Sequence, residues 1–114
     1  LTLICAAFLF FYFQHQYEDA YWATRDEFDF TRAGLQGSSF LDAPSLVHWC
    51  TGYIGYHHIH HLACGVPNYH LPSAHRACLA LGHTPQALTL GDIPRTLRFA
   101  LWDPELGKLV PFKD

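Results

Sequence analysis

The first thirteen residues, LTLICAAFLFFYF, are apolar on every face of a helix, so the segment needs an apolar surrounding on all sides. As a helix it rises about 20 Å, which is shorter than the ~30 Å hydrocarbon core of a bilayer. No methionine and no basic residue precedes the run, and no small-residue cleavage site follows it, so a secretory signal is not indicated. We expect the chain to be the C-terminal part of a longer protein, and residues 1–13 to be the C-terminal part of a transmembrane helix; a buried core helix is the alternative.

The chain becomes polar at Gln14, and the aromatic residues Tyr21 and Trp22 follow, as is typical of a membrane–water boundary. We predict that residues 14–114 form one mostly helical cap, which makes the fold all-α. No alternation of apolar and polar residues is long enough to predict a strand. Helices are predicted over 26–35, 42–49, 71–81 and 92–101, and another carries the histidine cluster and ends before Pro67. A loop is predicted over 83–90, and a turn with a short extended end over 103–114.

Composition narrows the class of protein. Half the residues are hydrophobic, which excludes a disordered chain. The net charge is -3 with seven Lys and Arg, which excludes a basic nucleic-acid binder. The four cysteines form no C-x-x-C pair, so a zinc ribbon is not indicated, and we interpret them as free thiols in a reducing compartment.

The nine histidines are the unusual feature, and four of them lie in the cluster HHIHH at 57–61. At about 100° per helical residue, His60 lies near −60° and His61 near +40° relative to His57. These three imidazoles share one face, and His58 lies at its edge. Several neutral imidazoles converging from one turn favour a transition-metal site.

His15 lies at the polar end of the apolar run and becomes a fourth ligand if the chain folds back. Single histidines such as His48, His75 and His83 are more often structural residues. Imidazole ligands suit iron, copper or zinc, so the residues alone leave the metal and the reaction open. A small soluble metal-binding module, whose first helix is only core, remains an alternative.

The chain resembles the membrane fatty acid desaturase family over nearly its whole length, and most closely the bacterial and plastid-type acyl-lipid omega-6 (delta-12) desaturases. The histidine box H-x-x-H-H of that family is present within the cluster at 57–61. Similar segments are QHQYED at 14–19, TGYIGY at 51–56, FDF at 28–30, VPNYH at 66–70 and RTLRFALWD at 95–103.

The resemblance implies that His57, His60 and His61 ligate iron, that His15 is the additional ligand, and that His58 fills a variable place. It implies a di-iron centre that uses O2 to introduce a cis double bond into an acyl-lipid chain, at the omega-6/delta-12 position. It further implies an integral membrane protein whose metal site is on the cytosolic or stromal face, served by an electron donor such as ferredoxin or another reductase chain. The two earlier histidine boxes of the family do not occur here, so we expect the fragment alone to be inactive.

Two alternatives share this scaffold: an acyl-chain hydroxylase, and a nonfunctional fragment of a desaturase gene. Ligating histidines usually donate their second ring N–H to an acceptor. Glu18, Asp19 and Asp29 are the acceptors that the sequence suggests, although a solvated surface carboxylate is the more common role for each.

Overall fold

The computed structural model describes residues 1–112, and for Leu3 only the backbone. Six helices and four short strands make up this part of the chain, and about half of it is helical. The helices are α1 Thr2–His15, α2 Phe30–Gln36, α3 Ser45–Cys50, α4 His57–Leu62, α5 Leu71–Ala80 and α6 Ile93–Thr96. The strands are β1 Phe40–Asp42, β2 Ala87–Thr89, β3 Phe99–Asp103 and β4 Lys108–Pro111, and single turns of 3-10 helix occur at Arg25–Glu27, Asn68–His70 and Leu90–Asp92.

Helix α1 confirms that the apolar run is helical. Its last turn is buried, with Phe13 and Gln14 almost inaccessible, whereas Ile4, Phe8 and Phe11 form an exposed apolar stripe. Among residues 1–112, no helix has both the length and the apolar character needed to cross a bilayer. The assignment of residues 1–13 to a transmembrane helix therefore stays a prediction.

The all-α prediction is only partly confirmed, because two small sheets are present. Strands β1 and β2 pair in parallel, with Leu41 opposite Leu88, and strands β3 and β4 pair antiparallel, with Trp102 opposite Leu109. Each strand has three to five residues, too few for an alternating pattern to stand out in the sequence. The predicted loop at 83–90 therefore contains a strand.

The helix predicted over 92–101 is wrong beyond its first turn. Helix α6 ends at Thr96, and Phe99 begins a strand that returns through a turn at Gly107, whose φ is +63°. The carboxylate of Asp103 accepts hydrogen bonds from the backbone N–H groups in this turn. The predicted turn with an extended end is confirmed in its first part, and residues 113–114 lie outside the described residues.

The other predicted helices are present with shorter bounds. Helix α2 starts later than predicted, because the carboxylate of Asp29 accepts a hydrogen bond from the Arg32 backbone N–H and so caps the first turn. Helix α3 starts after Pro44 and not at Asp42, which lies in β1. Helix α5 confirms the prediction closely, with Gly82 in the left-handed region (φ +83°) just beyond its end.

Two hydrophobic clusters hold these elements together. The first joins the end of α1 to both sheets and contains Phe13, Tyr17, Ala20, Leu41, Leu88 and Leu109. The second lies beneath α4 and contains Leu35, Ile59, Leu71 and Cys78. Helix α2 comes close to α4 at Gly34, which has no side chain. A Cβ there would lie within 3.2 Å of the Leu62 backbone. The two clusters therefore bring the end of α1, the end of α2 and the histidine helix α4 to one place.

The β3–β4 hairpin packs on the segment that leaves α1. The backbone N–H of Leu109 donates to the carbonyl of Glu18 at 2.9 Å, and Lys108 Nζ donates to the Glu18 carboxylate at 2.8 Å. The Tyr12 hydroxyl donates to the carbonyl of Phe99 at 3.0 Å. The C-terminal hairpin thus supports the turn that follows His15.

The cysteines are free thiols, as predicted. Cys78 is buried in the second hydrophobic cluster, whereas Cys5, Cys50 and Cys64 are exposed. Burial raises the pKa of the Cys78 thiol, which suits a packing role.

Candidate metal centre

Three imidazoles from α1 and α4 meet at one point. The Nε2 atom of His15 lies 2.9 Å from Nε2 of His57 and 3.2 Å from Nε2 of His61, and the last two atoms are 3.1 Å apart. His57 and His61 are one helical turn apart, so both reach the same side of α4. His15 comes from the last residue of α1 and closes the triangle.

The spacing of these three nitrogen atoms fits one transition-metal ion. Imidazole nitrogens bind such ions at about 2.0–2.1 Å. Two nitrogens held at right angles around one ion at that distance lie about 3.0 Å apart. The observed distances of 2.9–3.2 Å therefore agree with three adjacent ligand positions on a single ion.

The orientation of His15 is set by the end of α2. The Nδ1 atom of His15 lies 2.8 Å from the carbonyl oxygen of Gly37, the C-cap residue of α2. Because a carbonyl only accepts, Nδ1 carries the proton and Nε2 keeps its lone pair. That lone pair faces His57 and His61, so this hydrogen bond prepares His15 to ligate a metal ion.

His57 is the most enclosed of the three, at 6% exposure. Burial and then the neighbouring imidazoles lower the pKa of His57 to about 3. Partial burial and the neighbouring His15 also lower the pKa of His61. Both rings are therefore neutral at physiological pH, which is the form that ligates metal ions.

His60 does not join this group. Its side chain is exposed, and its ring centroid lies 5.8 Å from that of His57 and 6.0 Å from that of His61. His15 approaches α4 between the directions of His57 and His61, and the predicted angle places His60 on the far side of His57. Of the four sequence-predicted ligands, the structure brings together His15, His57 and His61 and leaves His60 facing elsewhere.

The carboxylates that were predicted to accept hydrogen bonds from the ligand histidines have other partners. Glu18 pairs with Lys108, and Asp29 caps α2. In the part of the chain that the structure describes, neither they nor Asp19 bonds to a histidine. The acceptor for His15 is the backbone carbonyl of Gly37, which no side-chain pattern could have indicated.

An apolar cleft of about 460 Å³ runs between α1 and the segment from α3 to α4. His57 and Gln14 are its polar members, together with Thr51, whose hydroxyl donates to the carbonyl of Val47. Gln14 is 1% exposed, and neither atom of its amide has a hydrogen-bond partner among residues 1–112. The apolar walls are Ala6, Ala7, Phe10, Phe11, Cys50 and Ile54.

A second cleft, of about 390 Å³, borders the triangle at His15 and His61. His15 and His61 contribute to it, so two of the three converging imidazoles border open space. The exposed aromatic residues Trp22, Phe28 and Phe30 line its walls. Each of the three histidines thus lines one of two clefts.

The sequence analysis did not predict that His58 and His75 contact each other. Nε2 of His58 lies 2.9 Å from Nδ1 of His75, and His58 is fully buried. His75 lies in α5, and by itself it has no metal-ligand spacing in the sequence. Only the packing of α5 against α4 shows that the two rings meet.

Comparisons with known proteins show which family the sequence resembles. A family model described as fatty acid desaturase matches residues 1–87. A fatty acid desaturase from Bacillus subtilis (strain 168) is 42% identical over 103 residues, which are 90% of this chain and 29% of that protein. The chain therefore spans less than a third of that relative's length. No solved structure matches the chain.

Proposed function

Because the chain belongs to the fatty acid desaturase family, we propose that it serves in an oxygen-dependent acyl-lipid desaturase that introduces a cis double bond, at the omega-6/delta-12 position. The observation that carries this proposal is the triangle of Nε2 atoms of His15, His57 and His61, 2.9–3.2 Å apart. Three imidazole nitrogens at this spacing form a donor set that suits iron. We further propose that the site is di-iron.

The two ions differ in the ligands that this chain offers them. One ion would be bound jointly by His15, His57 and His61. His60 projects from the same helix in a different direction and is exposed, so it is free to ligate the second ion. The remaining ligands of a di-iron centre come from histidines outside this chain, which the family resemblance implies.

Iron supplies the activation of O2 and the removal of hydrogen from an unactivated CH2 group, which no side-chain acid or base achieves. The residues of this chain bind and orient. Gly37 holds the His15 ring, and burial keeps His57 neutral and shielded from water. In the overall reaction, two neighbouring C–H bonds are lost, and O2 takes up those two hydrogens with two electrons and two protons to form two water molecules.

The substrate is proposed to be the acyl chain of a membrane lipid. The 460 Å³ cleft supports this class, because its walls are mostly apolar and His57 is one of the residues that line it. The exposed stripe of Ile4, Phe8 and Phe11 on α1 supports a bilayer setting, since water is a costly surrounding for it. We propose an integral membrane protein with its metal site on the cytosolic or stromal face, and electrons from ferredoxin or a reductase chain.

The test uses the whole protein that contains this chain, expressed in a host with saturated and monounsaturated lipids. Gas chromatography with mass spectrometry of the host lipids is expected to show a new cis double bond. The His57→Ala variant should lose it, whereas His83→Ala, at an exposed position outside the site, should keep it. A hydroxylated acyl chain as the main product would favour the hydroxylase alternative. Unchanged lipids in a host that contains the iron-loaded protein would contradict both the desaturase and the hydroxylase.

A further inference from the structure

A second pair of imidazoles lies beside the three-histidine site, with His58 about 100° around α4 from His57. Nε2 of His58 and Nδ1 of His75 are 2.9 Å apart, and one of the two atoms donates while the other accepts. His58 is fully buried and His75 is half-buried. The bond joins the histidine helix α4 to the middle of α5.

The pair is held in an aromatic pocket. The ring of Phe40, in β1, stacks on His75 with centroids 4.4 Å apart and a tilt of 20°. The same ring meets His58 edge-on at 6.1 Å. The ring of Tyr56 meets His75 edge-on at 5.3 Å and lies 5.1 Å from the ring of Phe40. These rings restrict how either imidazole can turn, so the hydrogen bond has a defined direction.

Helix α4 needs such a constraint. It has six residues, and its N-cap residue Tyr56 supplies no side-chain hydrogen bond, so its stability comes from tertiary packing. Ile59 packs into the second hydrophobic cluster and holds α4 down. Apolar packing is not directional, however, and it leaves α4 free to roll by some degrees. A hydrogen bond loses strength quickly when its angle changes.

We propose that His75 is a positioning residue that acts through His58: their hydrogen bond fixes the rotation of α4 about its axis and so holds His57 and His61 toward His15. His58 projects about 100° from His57 around the helix. A roll that broke the His58–His75 bond would move the two ligand nitrogens out of the triangle. This inference rests on the proposed metal centre, and it assigns a role to two histidines that are not themselves ligands.

The side-chain amides of Asn and Gln make a sharp test. The amide of Asn superposes on Nδ1 of histidine, whereas the amide of Gln reaches the position of Nε2. His75→Asn therefore keeps a partner for His58, and His75→Gln, of similar polarity, places its amide one methylene too far. Both variants keep a polar side chain in α5, so the comparison does not depend on whether His75→Ala folds.

The measurement is Co²⁺ binding to the whole protein that contains this chain, followed by the visible absorption band of the bound ion. We expect His75→Gln and His75→Ala to lower the Co²⁺ affinity about 10–100-fold, as the loss of groups that orient ligands usually does, and to change the band. His75→Asn should restore affinity and band shape, and His83→Ala should match the parent. Equal affinity and identical bands for His75→Asn and His75→Gln would overturn the proposal.

A second readout needs no metal. In the metal-free chain, nitrogen NMR should show coupling across the His58–His75 hydrogen bond, and the ring signals of His57 and His61 should shift in His75→Gln but not in His75→Asn. Failure of the parent to bind Co²⁺ would count against the metal centre. The NMR signals would still show whether the His58–His75 hydrogen bond positions His57 and His61. Ring signals of His57 and His61 that are the same in all variants would contradict the positioning role.

Discussion

The Nδ1 atom of His15 donates to the carbonyl oxygen of Gly37 across 2.8 Å, and this bond leaves the Nε2 lone pair of His15 facing the histidine helix. A backbone carbonyl is a rigid acceptor, because its position follows from the last turn of α2 and not from a side-chain rotamer. The orientation of one metal-ligand candidate thus depends on how α2 ends.

We expect Gly37→Ala to lower iron affinity about 10–100-fold, by displacing that carbonyl. A Cβ at position 37 would lie 2.5 Å from the carbonyl oxygen of Ala33, so the backbone must shift. Metal titration followed by mass spectrometry of bound iron measures the change. Gly65→Ala is the matched control, since a Cβ there meets nothing within 4 Å. Equal iron affinity in the two variants would show that the Gly37 carbonyl does not position His15.

His60→Ala and His61→Ala should affect bound iron differently. His61 belongs to the triangle with His15 and His57, whereas His60 faces away. In the whole protein, we expect His61→Ala to remove the ion held by the triangle, and His60→Ala to weaken the other ion and leave this one. Iron content per protein and the Mössbauer spectrum distinguish the two losses. The same spectrum for both variants would mean that the two histidines serve one ion.

Alkaline pH should destabilise the chain through Tyr17. Its hydroxyl donates to the carbonyl of Gln36 at 2.5 Å, and burial, with a contribution from nearby Asp19, raises the pKa of Tyr17 above its usual 10.0. Above pH 10 the unfolded chain therefore loses this proton while the folded chain keeps it, so the free energy of unfolding falls as pH rises.

Urea unfolding followed by circular dichroism between pH 8 and about 11 measures this loss. Tyr17→Phe should remove part of it, whereas the exposed Tyr69→Phe should behave like the parent. The same alkaline slope in Tyr17→Phe and the parent would contradict the assignment.

The C-terminal hairpin should depend on apolar packing more than on its ion pair. Leu109 is 9% exposed within the first hydrophobic cluster, and we expect Leu109→Ala to lower the free energy of unfolding by about 2–5 kcal/mol. Leu106 is 60% exposed in the same hairpin, so Leu106→Ala should change the free energy of unfolding by at most about 0.5 kcal/mol. Lys108→Ala removes a partly exposed ion pair and should have a small effect on the free energy of unfolding. A larger loss from Lys108→Ala than from Leu109→Ala would reverse this interpretation.

Features with a local cause could be predicted from the sequence. The apolar run and the segment 71–81 are helical because their residues and their ends, with Gly82 after α5, favour that conformation within a few neighbours. The family resemblance was likewise carried by contiguous segments; membership of the fatty acid desaturase family is confirmed, and the omega-6 subtype stays a proposal. The strands were missed because β1 and β2 stabilise each other across 47 residues of chain, from Phe40 to Ala87, and neither has a clear pattern of its own.

By itself, the sequence determined that several imidazoles would lie on one helix and that His15 would end another, since helical periodicity and the polar boundary at Gln14 are local. Only the tertiary structure decided which rings meet. His15 is 42 residues from His57, and the packing of α2 and α5 against α4 sets the side from which it approaches. That packing selects His57 and His61, leaves His60 outside the triangle and pairs His58 with His75, because the direction in which one helix meets another depends on residues distant in the chain.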